Sequence, residues 1–166
     1  SLSIEASNIL SSKLSHDEKI IRLKEIGEQS VDIKGVGLYT LGKYRKTLTD
    51  NQKEQYEKLF KDYFLKSFSG RLVGYTDAKI AVLSEEIKNE KYTIVYSKLI
   101  GTSDRPEVKI DWRVYTKDPQ KPLIRDLVIE GLSLARTQKE EFNSIIANND
   151  GSIEALFENL NRFLEN

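Results

Sequence analysis

The 166-residue chain contains no cysteine, no methionine, one histidine and only three prolines. Without thiols there is no disulfide framework, no thiolate nucleophile and no Cys-based metal site. A single histidine, His16, leaves no second imidazole for a His-based metal site. No apolar run approaches the ~20 residues of a membrane span. Neither sign of charge is in excess: Lys plus Arg and Asp plus Glu both number 26, so nothing marks a nucleic-acid footprint or a polybasic membrane anchor. A chain that opens at Ser1 and lacks methionine reads as a processed or trimmed product, as removal of a signal peptide would leave.

What is present is ordinary for a globule: 39% hydrophobic and 31% charged residues, in a length that fits one domain over residues 1–166 with a sizeable core. Apolar residues recur at helical spacing at Ile4, Leu10 and Leu14, then at Ile20, Ile21, Leu23 and Ile26 after the capping-box pattern Ser15-x-x-Glu18. This predicts two short helices. Asp32 is placed to cap a third, carrying Val36, Leu38, Tyr39, Leu41 and Tyr44, with Gly35, Gly37 and Gly42 allowing close packing. A second capping box, Thr49-x-x-Gln52, opens a long helix to about Arg71. Its apolar stripe is Tyr56, Leu59, Phe60, Tyr63, Phe64, Phe68 and Leu72, and its wet face holds Lys53, Glu54, Lys58, Lys61 and Asp62.

The period then changes. Stretches 79–83, 91–100, 108–115 and 123–130 are rich in β-branched and aromatic residues and predict four strands. The links 101–106 and 117–122 are too short for βαβ crossovers, so the strands form an antiparallel meander. Ile110, Trp112 and Val114 alternate with Lys109, Asp111 and Arg113, so one sheet face is apolar and the other polar. Helices over 132–147 and 152–164 close the chain. The fold class is α+β: a twisted four-stranded antiparallel sheet with helices packed mainly on one face, where a curved sheet leaves an apolar cavity against the aromatic helix.

Catalytic constellations are sparse. Gly131-Leu-Ser133-Leu-Ala135 superficially matches a nucleophile elbow, but no histidine follows it and the sheet is not parallel. The simpler reading makes Ser133 a helix cap and Gly131 a turn residue. Asp126 and Glu130 are the one candidate acid/base pair, as in a small cavity enzyme of isomerase or dehydratase type. The competing reading ties them to Arg113, Arg125 or backbone amides. Gly35-x-Gly37 lacks the strand and third glycine of a dinucleotide site.

Taken together, several segments resemble the MlaC-type toluene-tolerance family of periplasmic phospholipid shuttles. They are Leu41-Gly42-x-Tyr44, Thr47-Leu-Thr-x-x-Gln52, Phe60-x-x-Tyr63-Phe64 and Arg71-Leu72-x-x-Tyr75 in the first half. In the second half they are Asp126-Leu-Val-Ile-Glu130-Gly131-Leu-Ser133-Leu134, Glu141-Phe142-x-x-Ile145-Ile146 and Gly151. The resemblance runs from about residue 4 to residue 164. It implies a mature periplasmic, monomeric, non-enzymatic carrier with no cofactor. Its cargo would be glycerophospholipid, moved between an outer-membrane lipoprotein complex and an inner-membrane ABC transporter to maintain outer-membrane lipid asymmetry. It also implies a tail-binding wall of Leu41, Tyr44, Phe60, Phe64, Phe68 and Leu72 from helices. The strands would add Val82, Val95, Leu99, Ile110, Trp112, Val114, Leu127 and Ile129. Two departures, Arg45 in place of an aromatic and Lys121-Pro-Leu-Ile124 in place of Gly-x-Trp, bear on partner contacts more than on lipid carriage.

Overall fold

The computed structural model describes residues 8–9, 12–73 and 79–166. The helix expected around Ile4 and Leu10 lies outside them. Helix α1 (His16–Ser30) begins at the capping box: Ser15 Oγ accepts from Glu18 N, and Glu18 accepts from Ser15 N. Helix α2 (Ile33–Leu41) is capped by Asp32, whose Oδ1 accepts from Gly35 N at 3.1 Å. It stops at Gly42 and continues as a 3₁₀ turn over Gly42–Lys46, three residues short of the helix expected through Tyr44. Helix α3 (Asp50–Leu72) starts at Thr49 and Gln52, which satisfy each other's backbone amides.

Five antiparallel strands follow in sequential order: β1 (Ile80–Ile87), β2 (Tyr92–Leu99), β3 (Val108–Tyr115), β4 (Leu123–Ile129) and β5 (Leu132–Ser133). The fifth strand corrects the expected four. Glu130 and Gly131, both at positive φ (50° and 81°), form a two-residue hairpin that folds Leu132 and Ser133 back onto Ile129 and Val128. That hairpin also moves the start of helix α4 (Leu134–Ala147) two residues later than the apolar pattern suggested, with Ser133 as its cap. Helix α5 (Ile153–Glu165) ends the chain.

The helices build a core of their own. Among the described residues, the buried apolar side chains come from helices plus Val31 and Leu48, and none belongs to a strand. Tyr56 stacks on Phe157 at 6.2 Å and tilts against Phe60 at 5.8 Å, and Phe142 meets Phe60 edge-on at 6.3 Å. The stripe expected on α3 is too narrow. Leu65 and Ser69 are also buried, because α3 is covered by α1 on one side as well as by α2 and α5. A helix packed on several sides shows little amphipathicity in its sequence.

One polar pair sits inside this core. Thr40 Oγ1 donates to Gly37 O at 2.6 Å, so the Tyr56 hydroxyl, 2.6 Å from the same oxygen, is left to donate to it. Burial pushes the Tyr56 phenol well above its ordinary value.

The helical layer meets the sheet chiefly along β4. Val31 bridges Ile124 in parallel, Asp32 N donates to Ile124 O at 2.9 Å, and Arg125 Nε donates to Asp32 Oδ2 at 2.8 Å. Arg125 also donates to Tyr92 Oη and lies 4.0 Å from the centre of the Tyr115 ring. One guanidinium thus ties the cap of α2 to two strands.

Three outcomes follow. Leu156→Ala, at a fully buried position, lowers the unfolding free energy by about 2–5 kcal/mol, read from urea titration. Because Tyr56 is held neutral above its unfolded pKa of about 10, its contribution is fully present below pH ~10 and is lost progressively as pH rises from there toward its raised folded value. Tyr56→Phe therefore loses less stability than wild type between neutral and strongly alkaline pH. A double-mutant cycle on Asp32→Asn and Arg125→Met gives a coupling of about 1 kcal/mol, at or above the top of the range for exposed pairs, since both groups are partly shielded.

Candidate functional site

Cross-strand pairing decides which side chains share a face, and it gathers the expected strand residues on one side of the sheet. Val95 lies opposite Trp112, and Trp112 opposite Leu127. Ile110 lies opposite Ser97 and Ile129, and Val82 opposite Ser97. Leu99 pairs with Ile80 and Val108, and Val114 with Thr93 and Ile124. All eight expected strand residues therefore lie on a common face. Ile124, on that same face, packs against the helical core, which turns this side of β4 toward the helices.

Two irregularities shape the face. A bulge between Val82 and Ser84 shifts the register of β1, and the edge strand beyond it is exposed, with Ile87 75% accessible. A second bulge, opposite Arg113 and Val114, makes Arg125 the extra residue, so Ile124 and Asp126 sit on opposite faces although only two positions apart.

Polar groups on the apolar face are few, small and satisfied. Ser97 Oγ donates to Ile110 O at 2.8 Å and accepts from Trp112 Nε1 at 2.8 Å, which holds the indole in place. Thr93 and Thr116 share a hydrogen bond at the far end. The alternation Thr93, Val95, Ser97, Leu99 places Ser97 and Thr93 on this face too, although small polar residues do not by themselves signal an apolar wall.

The face is not sealed. Val95, Leu99, Ile110, Trp112, Val114, Leu127 and Ile129 are all only half-buried. Tyr44, Phe64, Phe68 and Leu72 from the helices are half-buried too. Phe60, Phe64 and Phe68 form a stacked ladder along α3, with ring centres 6.2 and 5.7 Å apart, that leaves the sealed core toward its C-terminal end. The ring of Phe68 also lies against Gly27 of α1.

Three expected members sit elsewhere. Leu41 and Phe60, 0% and 2% exposed, are enclosed in the helical core and touch no open space. Val82, 61% exposed, stands on the open edge strand. The reason is common to all three: helical or strand periodicity assigns a side, and only packing assigns a depth.

The candidate acid/base groups lie away from this face. Asp126 accepts from Ser133 Oγ and, at 3.0 Å, from Ala135 N, so it braces the start of α4. Exposed Glu130 accepts from Lys109 N at 2.6 Å. Backbone amides and one hydroxyl, and no arginine, hold the pair. Among the described residues no three metal-ligating side chains converge, and no helix is long and apolar enough to cross a membrane.

A separate groove of about 890 Å³ runs between α1, α3 and α5, with Ile20, Tyr63, Arg71 and Phe163 in its lining. None of the fourteen expected wall residues borders it. Lys66, at its rim, donates to Phe163 O at 2.7 Å and to Asn166 O at 3.1 Å, capping the end of α5.

The same layered fold is found in the phospholipid-binding protein from Ralstonia solanacearum, whose structure was solved in complex with a phospholipid. It superposes with a TM-score of 0.80, covering 99% of this chain and 93% of that one. At 19% identity the likeness is one of fold. Residues 3–162, nearly the whole length, match the MlaC protein family, and the chain belongs to that family.

Proposed function

We propose that this protein is a phospholipid carrier that holds acyl chains between the apolar sheet face and the half-buried end of the α3 aromatic ladder. The observation that carries this reading is the contrast between a helical core closed to solvent and an apolar sheet face that is left open. An apolar surface of this kind costs free energy in water at about 25 cal/mol per Å². A ligand with long hydrocarbon tails relieves that cost, at about 0.8 kcal/mol for each methylene it buries. The near absence of polar groups on the face suits tails and offers nothing to a polar substrate.

The wall is Val95, Leu99, Ile110, Trp112, Val114, Leu127 and Ile129 with Phe64, Phe68, Leu72 and Tyr44. Leu41 and Phe60 support it from beneath. Binding needs no cofactor and no bond chemistry, and Asp126 and Glu130 keep structural roles. Family membership supports the wider reading: a one-domain, monomeric periplasmic shuttle that takes glycerophospholipid between an outer-membrane lipoprotein complex and an inner-membrane ABC transporter.

Native mass spectrometry of protein purified without detergent from a Gram-negative host tests the reading, and the expected result is a stoichiometric adduct of phospholipid mass. Bare protein, even after incubation with phospholipid vesicles, would sink it. Val114→Asp places a carboxylate on the wall beside Thr93 and Ile124, and we expect at least about a tenfold loss of lipid copurification, in line with the several kcal/mol cost of an unpaired buried charge. Circular dichroism of the same variant should stay native, because the position is only half-buried.

A further inference from the structure

The corner where α2 gives way to the 3₁₀ turn is charged in one sign. Residues 33–49 contain Lys34, Lys43, Arg45 and Lys46 and no aspartate or glutamate. Lys34 is neutralised by Glu57 at 3.8 Å. Lys43, Arg45 and Lys46 are exposed, and among the described residues none of them has a carboxylate within ion-pair distance. Helix α4 adds Lys139, likewise without a carboxylate partner there, while Arg136 next to it is taken by Glu140.

The backbone of the turn is held in position. Gly42 adopts φ 56° and ψ −129°, a conformation side chains rarely allow. A Cβ there would lie 2.8 Å from Asn143 Oδ1 and 3.0 Å from Lys139 Cε. Glycine thus lets the turn close against α4, where Asn143 Nδ2 donates to Thr40 O at 2.9 Å and to Lys139 O at 2.8 Å. Two tyrosines complete the corner: the Lys139 ammonium sits 5.1 Å from the ring centre of Tyr39, and that of Lys43 sits 5.3 Å from Tyr44. Tyr39 is 40% exposed.

We infer that this corner is a docking surface for an acidic protein segment, whose carboxylates pair with Lys43, Arg45, Lys46 and Lys139 while Tyr39 supplies a flat apolar contact. Four cations without a carboxylate at ion-pair distance are complementary to such a segment, and the fixed backbone of the turn lowers the ordering cost of pairing. A membrane surface fits less well. Stable attachment there needs inserted apolar residues as well as charge, and the large exposed aliphatic side chains among the described residues, Ile21 on α1, Val82, Leu83, Ile87 and Leu132 on the sheet and Ile100 just after β2, all lie outside residues 39–46 and 139–143. The surface stands on its own observations and does not depend on the cargo being phospholipid.

The probe is a synthetic peptide of alternating glutamate and glycine, titrated into the full ¹⁵N-labelled protein at low salt. Amide shifts concentrated at residues 39–46 and 139–143, weakening steeply as salt is added, support the surface. The variants K43E/R45E/K46E and K139E should each weaken binding at least about tenfold. The variant K91E/K117E/K121E changes net charge as much as the triple one but lies in the segments that flank β2, β3 and β4, outside residues 39–46 and 139–143, and it should bind as wild type does. Shifts spread over the lysines of the whole surface overturn the proposal, and so does equal weakening by both triple variants. Binding of phosphatidylglycerol vesicles through this corner with none of the peptide overturns it as well. Unchanged lipid copurification in K43E/R45E/K46E separates this result from any failure of the carrier reading.

Discussion

The helices of this protein close on each other before they close on the sheet, and the packing around Tyr56 is where that happens. Tyr56 brings together α2 through Thr40, α5 through Phe157 and its own helix through Phe60. Its hydroxyl is satisfied inside the apolar contact, so the junction carries no unpaired polar group. Once the helices have buried their largest side chains in this way, few remain to cover the strands.

The sheet is therefore attached along a line and not across a plane. The join runs along β4, where Val31, Asp32 and Arg125 supply a bridge, a backbone hydrogen bond and an ion pair. The bulge at Arg125 serves both sides of the strand at once, sending a guanidinium toward Tyr92 and Tyr115 while keeping Ile124 packed against the helical core. Beyond that line the sheet extends through β3 and β2 to an edge strand whose outer half is exposed. An apolar face anchored on one side and open on the other is the arrangement a tail-binding carrier requires, and the fold is shared with a protein solved in complex with a phospholipid.

The electrostatic pattern follows the same division of labour. The carboxylates of β4 and its hairpin lie off the apolar face and are spent on structure, Asp126 at the start of α4 and Glu130 on Lys109 N. The α2 corner carries Lys43, Arg45 and Lys46 on a turn that glycine and Asn143 hold against α4. Under the two proposals, cargo and partner contacts rest on different physics, apolar burial for one and charge complementarity for the other.

Local signals read true where one neighbour decides the outcome. Capping boxes at Ser15 and Thr49, the Asp32 and Ser133 caps, and the two-residue alternation of β2 and β3 were legible because each depends on residues a few positions apart. Apart from β5 and the 3₁₀ turn, the sequence by itself determined the element types, their order and which strand residues share a face. Tertiary structure alone decided depth and joining. Leu65 is buried and Leu41 and Phe60 are sealed because α3 and α2 have neighbours on several sides. Val82 is exposed because it lies on an edge strand, and β5 exists because Glu130 tolerates a positive φ. Periodicity encodes direction from the backbone, whereas depth depends on which distant elements arrive to cover it.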